Sequence, residues 1–242
     1  DYLLVPTNVQ AFVVGKTAAD PLYDLVPVPK DLTSWYRDGT YAFSFQSSKL
    51  GSGLGSGIHL HWALPTALVQ ARHDGENKPV QPCIPNRWLV RRLCHAEGSP
   101  TISSKAWVVE SDYVSDTAQS GGSPWLFFSP SLAVKYVGRT VSLEQWQETQ
   151  RAYRFDLTAS GWGDPSFAAY YPACKSVLGF HDKMEGVAPG TQLTYLVMGW
   201  YSDQAKDPLC AGSNTSESVK ARLGWWCPDV NDAPLPQRTL CH

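Results

Sequence analysis

The punctuation of this chain implies a mainly β fold: a β-sandwich or β-barrel-like arrangement with a few short helices and long loops, or, as the alternative, an α+β fold. Three observations carry that reading. First, 19 glycines and 18 prolines interrupt 242 residues, and these residue types make turns and stop helices. Second, the runs between them are short and rich in Val, Ile, Leu, Tyr, Trp and Phe, which suit a pleated surface. Third, helix-start signals are few.

Strands are expected over 9–14, 22–28, 41–45, 58–64, 87–94, 105–110, 133–137 and 191–201. In the last, Leu193, Tyr195 and Val197 alternate with Thr194, Leu196 and Met198. Both faces are then largely apolar, which places that strand centrally in its sheet. Ser142 followed by Gln145 fits a capping box, and Val141 with Trp146 fits a hydrophobic staple, so a helix is expected over 143–153. Asp164-Pro165 opens another over 166–171, which Pro172 stops. Leu64-Pro65-Thr66 opens a third ending before Asp74-Gly75, and 217–223 forms a last one closed by Gly224.

The Gly/Pro-rich stretches 51–57, 74–85 and 115–124 do not divide regions of different composition. Residues 1–242 therefore read as one domain, with 115–124 as the alternative boundary.

A hydrophobic content of 43% and a charged content of 17% exclude a disordered chain. Twenty Lys+Arg against 22 Asp+Glu give a net charge of −2, which removes the basic signature of a dedicated nucleic-acid binder. No apolar run is long enough for a transmembrane helix. Asp1-Tyr2-Leu3-Leu4-Val5-Pro6 lacks the basic start of a signal peptide, so the chain reads as mature, as cytoplasmic, or as part of a longer precursor.

Six cysteines, Cys83, Cys94, Cys174, Cys210, Cys227 and Cys241, contain no Cys-x-x-Cys pair, which excludes zinc-ribbon and thioredoxin-type sites. The last three lie in a stretch rich in Pro, Gly, Asn and Asp, where disulfides would hold the chain down. Connectivity is not readable; Cys83–Cys94 is the favoured local clip, because Pro85-Asn86 allows a turn. Asn214-Thr215-Ser216 is a glycosylation sequon. Cysteines and sequon together tilt the compartment to extracellular or secreted; reduced buried thiols in a cytosolic protein are the alternative.

The sharpest local pattern is Ile58-His59-Leu60-His61-Trp62. Alternation puts His59 and His61 on one strand face and the apolar residues on the other. Two such imidazoles can converge on a metal if a third ligand arrives from a neighbouring strand. The pattern resembles the His-x-His-Trp strand of α-type carbonic anhydrases, and the resemblance implies a catalytic zinc. It covers these residues alone: that family's following His-x-x-His-Trp strand has no counterpart, since His73 adjoins Asp74-Gly75 and His95 ends a different strand. A cupin-type site also begins His-x-His but needs a nearby Glu, which 63–67 lacks. His181 is the candidate third ligand, and Glu110 the candidate general base of a metal-dependent hydrolase or lyase. The competing account makes the histidines structural and pairs Glu110 and Asp112 with nearby arginines.

Pro85-Asn86-Arg87-Trp88-Leu89-Val90-Arg91-Arg92 sets guanidiniums beside an indole. It suits an anion or glycan patch, or an edge strand whose arginines pair with carboxylates. Paired aromatics, Trp35-Tyr36, Trp200-Tyr201 and Trp225-Trp226, leave one ring of each pair off the core when extended.

Three functions compete. The first is an extracellular binding or assembly module using aromatic-lined loops, with Trp35, Tyr36, Arg87, Trp88, Trp225 and Trp226 as candidate contacts and a carbohydrate or protein as partner. It needs no catalytic constellation and no cofactor. The second is the metal-dependent enzyme, with zinc or a similar divalent ion. The third is a self-assembling structural subunit, a homo-oligomer in which a terminal segment adds a strand to its neighbour.

Overall fold

The computed structural model describes residues 2–14, 56–73, 75–115, 123–126, 134–148, 157–158, 178–210, 214–225 and 235–242. Strands far outnumber helices among the described residues, so the fold is mainly β.

The strands are β1 (Tyr2–Val5), β2 (Asn8–Val14), β3 (Gly57–Ala63), β4 (Arg72–His73), β5 (Pro79–Val80), β6 (Arg87–His95), β7 (Ile102–Ser115), β8 (Ser123–Leu126), β9 (Val134–Ser142), β10 (Gly179–Asp182), β11 (Gln192–Trp200) and β12 (Arg238–Cys241). The helices are α1 (Thr66–Val69) and α2 (Ser216–Leu223), with a 3-10 turn at Gln204–Lys206. A seven-stranded sheet runs β1-β12-β11-β6-β7-β9-β8, a three-stranded sheet runs β10-β3-β2, and β4 and β5 form a ribbon. No helix among the described residues is long and apolar enough to cross a membrane.

The two larger sheets meet across one core. Ile58, Leu60, Trp62 and Phe180 from the small sheet pack with Trp88, Val90, Val109 and Val197 from the large one. The Trp62 and Trp88 rings lie 5.3 Å apart, and Trp107 and Phe180 lie 4.8 Å apart. Gly199 is required here, because a Cβ at that position would fall 2.3 Å from the Trp88 ring. Gly138 is required too: β7 carries a bulge between Glu110 and Val114 opposite β9, and Gly138 turns through it at φ 79°.

Several expectations meet the structure directly. The strands expected over 9–14, 58–64, 87–94, 105–110 and 191–201 are present within a residue or two, β7 being longer than expected. Those expected over 22–28 and 41–45, and the helix over 166–171, lie outside the described residues. α2 forms as expected, its Thr215 cap closing a capping box with Ser218 and Gly224 ending it in the left-handed region.

β11 lies inside the large sheet between β12 and β6, as expected. Two features differ. β11 buries Val197 and Gly199 on one face, but Leu196 on the other is 45% exposed, so the strand is not covered equally on both sides. The segment 143–148 is a turn and not the start of a helix. Trp146 and Glu148 both reach back to the large sheet, to Glu110 and Arg87 respectively. Residues two apart share a face in extended chain and diverge on a helix, so these contacts select the extended form.

Candidate functional site

The large sheet carries a polar row on the face opposite the core. Trp200, Arg87, Glu110 and Arg139 are consecutive cross-strand partners on β11, β6, β7 and β9. Alternation sends Trp88 and Val109 inward, and these four therefore point outward. β6 is not an edge strand: it stands between β11 and β7, paired along its length with both.

Fully buried Arg87 sits between two carboxylates. Its Nη1 donates to Asp112 Oδ1 at 2.6 Å, while Nε and Nη2 donate to Glu148 at 3.0 and 2.7 Å. Burial opposes the guanidinium's charge, but Glu148 and Asp112 together raise its pKa above the usual arginine value. Asp112 is pushed upward by burial, against the pull of Arg87 and Asn86. Glu110 accepts from Arg139 Nε and from Trp146 Nε1. Burial raises its pKa, and these donors outweigh that and bring it below the usual carboxylate range.

The 143–148 turn then builds a cleft beside this row. Trp146 meets Trp200 edge-on, with centroids 6.1 Å apart and planes at 85°. With Tyr2, Glu148, Gln204 and Arg238 they line a cavity of about 430 Å³, within the size range of small-molecule sites. Arg238 donates to the Tyr2 hydroxyl and to Gln204 Oε1, and its guanidinium lies 5.9 Å over the Tyr2 ring. Asp207, also at the cavity, accepts from the Thr239 amide and hydroxyl and from the Leu209 amide. Tyr2 is 49% exposed and the Glu148 side chain 42%.

The histidines assemble differently from a metal chelate. His181 stands opposite His59 across β10 and β3, and their rings stack at 4.0 Å with planes 8° apart. Imidazole lone pairs lie in the ring plane, so stacked parallel rings do not aim them at one point. His181 Nε2 also lies 3.1 Å from the Ser56 carbonyl. His59 and His61 are 3% and 4% exposed, and burial pushes the His61 imidazole down to about 4. Among the described residues, no three His, Cys, Asp or Glu are grouped to hold a metal. Glu110 belongs to the large sheet and is engaged by Arg139 and Trp146, so it does not complete the histidine site.

Other candidates are absorbed by the fold. Trp88 is fully buried and donates its indole N–H to the Pro85 carbonyl, which removes it as a ligand platform. Arg87 is occupied by its two carboxylates. Trp225 packs against the core. Trp35, Tyr36, Trp226, Cys174 and Cys227 lie outside the described residues. Asn214 is buried, its amide nitrogen donating to the Leu209 and Pro236 carbonyls and its oxygen accepting from Arg222. The atom a glycan would occupy is thus engaged inside the fold.

No disulfide joins any two of the four described cysteines, Cys83, Cys94, Cys210 and Cys241. The Cys83–Cys94 clip fails because no turn follows Pro85-Asn86: β6 extends through, carrying Cys94 roughly 20 Å beyond Arg87, whereas bridged residues need Cα atoms within about 7 Å. Cys241 is a core residue, and burial pushes its thiol up to about 12.

Arg92 and Asp182 form the tie between sheets. Arg92 Nη1 donates to both Asp182 oxygens at 2.9 and 2.6 Å, and the Tyr195 hydroxyl donates to the same carboxylate at 2.7 Å. The cleft residues Tyr2, Trp146, Glu148, Gln204 and Arg238 were not among the sequence candidates. The Trp200-Tyr201 pair was the available signal, since Tyr201 turns inward to the Cys83 carbonyl and Trp200 lines the cleft.

Compared with protein-family models, curated proteins and solved structures, the chain finds no match.

Proposed function

We propose that this protein is a carbohydrate-binding module whose ligand occupies the cleft between Trp146, Trp200 and Tyr2. The observation that carries the reading is the Trp146–Trp200 corner, two indoles at 85° beside the half-exposed carboxylate of Glu148. Sugar rings present apolar C–H faces and hydroxyl edges, and an aromatic wall with adjacent hydrogen-bonding groups complements both. The cleft's carboxylates are each fixed by internal donors, Glu148 by Arg87 and Asp207 by Thr239 and Leu209, an arrangement suited to holding a ligand and not to shuttling protons.

Titration with a panel of oligosaccharides, followed by tryptophan fluorescence, tests this. A saturable change is expected, weakened about tenfold or more by Trp200→Ala, the loss of a stacking ring. No saturable response to any sugar, or one that Trp200→Ala leaves intact, would overturn it.

A second reading rests on a different observation. β1 ends the large sheet among the described strands and exposes Tyr2 and Leu4, which suits strand addition between copies. Sedimentation distinguishes them: a monomer at micromolar concentration removes the assembly reading.

A further inference from the structure

We infer that the sugar taken by the cleft carries an oxyanion, a carboxylate or a sulfate ester, and that Arg238 receives it. This rests on the carbohydrate reading above and adds to it the ligand's charge and the group that meets it.

Arg238 on β12 and Tyr2 on β1 are cross-strand partners, and Gln204 comes from the 3-10 turn that follows β11. All three line the cavity. A guanidinium carries N–H donors and no acceptor. Its Nη1 donates to the Tyr2 hydroxyl at 3.3 Å and its Nη2 to Gln204 Oε1 at 3.0 Å. The Nε–H and the second hydrogen of each Nη stay available on this exposed side chain. Arg238 also decides what its neighbours can offer. By taking a lone pair from each, it leaves the tyrosine with its O–H and the glutamine with its NH2 group, because the amide oxygen must face the guanidinium. Three side chains thus present donors around one positive charge. The matching group is an anion that only accepts, as carboxylates and sulfate esters do.

The charges of the cleft are arranged to orient such a ligand. Those lining the cavity are Glu148, Asp207 and Arg238. Glu148 is answered by the Arg87 fork. Asp207 is buried, with its oxygens turned to the Thr239 amide and hydroxyl and to the Leu209 amide. Arg238 is exposed and bonded to a hydroxyl and an amide oxygen, and among the described residues no carboxylate pairs with it. It stands on β12, whereas Glu148 is bound to Arg87 on β6, with β11 between; the two strands are roughly 10 Å apart at the usual strand spacing. An anion is therefore attracted at the Arg238 end and repelled at the Glu148 end. The uncharged part of the sugar then falls toward Trp146 and Trp200, the indoles beside Glu148.

The test is a set of oligosaccharides alike except at one position: a neutral hexose, the corresponding uronate, the methyl ester of that uronate, and a sulfate ester. Affinities are measured for wild type, Arg238→Gln and Trp200→Ala. The uronate or the sulfate ester should bind wild type about tenfold more tightly than the hexose and the methyl ester, through a charge-assisted contact. Arg238→Gln should remove this advantage, while Trp200→Ala weakens every member. Whether uronate or sulfate ester leads identifies the oxyanion, and either result supports the inference. Charged members that bind no more tightly than the neutral ones, or an advantage that Arg238→Gln leaves intact, would overturn it; the carbohydrate reading then stands if Trp200→Ala still weakens binding. Absence of binding to every member overturns both. The comparison of uronate with its methyl ester is made on wild type, so it keeps its force where a substituted chain fails to fold.

Discussion

Arg87 and Glu148 face each other in a forked contact, Nη2 to Oε1 at 2.7 Å and Nε to Oε2 at 3.0 Å, with the guanidinium fully buried and the carboxylate partly in solvent. The asymmetry decides what each residue does. Arg87 cannot be spared, because Asp112 is buried against its other side; Glu148 can, because water solvates its outer face.

The two should therefore respond differently to substitution. Arg87→Met leaves a buried carboxylate without its cation and is expected to cost about 3–5 kcal/mol of unfolding free energy, whereas Glu148→Gln should cost less than about 1 kcal/mol. Urea unfolding of both variants checks this. Equal losses would contradict the assigned roles.

Gly199→Ala should destabilise severely although it adds one methyl group. The new Cβ would lie 2.3 Å from the Trp88 ring, and overpacking of a closed core costs on the order of 1–3 kcal/mol or more. Trp88 also packs against Trp62 with the ring planes tilted by 46°, so near-ultraviolet circular dichroism should change with it. An unchanged unfolding midpoint would refute this packing.

His61 makes stability depend on pH. Its imidazole titrates near 4 in the fold, below the ordinary 6.5, because burial disfavours the charged form. As pH falls, the unfolded chain takes up this proton first. Stability is thus complete above pH 6.5 and is lost between 6.5 and about 4. From that interval, wild type should lose about 3 kcal/mol more than His61→Gln on going from pH 7 to pH 4. Equilibrium unfolding of the pair at both pH values measures it; a constant difference would mean that His61 does not titrate in this way.

Asn214 should remain unmodified even when the chain is secreted through a glycosylating pathway, because its amide nitrogen is bonded to Leu209 and Pro236. Mass spectrometry of the peptide containing it provides the check, and a glycan there would show that this region folds after modification or differently. Asn214→Ala should cost about 1–3 kcal/mol by leaving buried carbonyls without donors.

The mainly β architecture was legible because alternation and Gly/Pro punctuation act locally. β3 illustrates this: His59 and His61 fall on one face and Leu60 and Trp62 on the core face, as period two requires. What alternation does not encode is which strands become neighbours. Arg87 and Trp88 read as a patch because their distant partners were unknown; Trp88 points into the core against Trp62, and Arg87, on the opposite face, is enclosed by Asp112 and Glu148. Pairing with β11 and β7 keeps β6 straight and separates Cys83 from Cys94. Trp146 read as a helix staple because Ser142 and Gln145 fit a local rule, yet the partners that fix it, Glu110 and Trp200, are distant in sequence. The cleft itself joins Tyr2 and Arg238, near opposite ends of the given sequence, through the parallel pairing of β1 with β12.

The most direct test of the cleft as the ligand site is to follow the indole N–H resonances of isotopically labelled protein during titration with an oligosaccharide from the panel. Trp146 and Trp200, which line the cavity, should shift in a saturable manner, while Trp62 and Trp88, closed within the core, should stay in place. Shifts confined to tryptophans outside the cleft, or none in Trp146 and Trp200 at saturating sugar, would contradict the account.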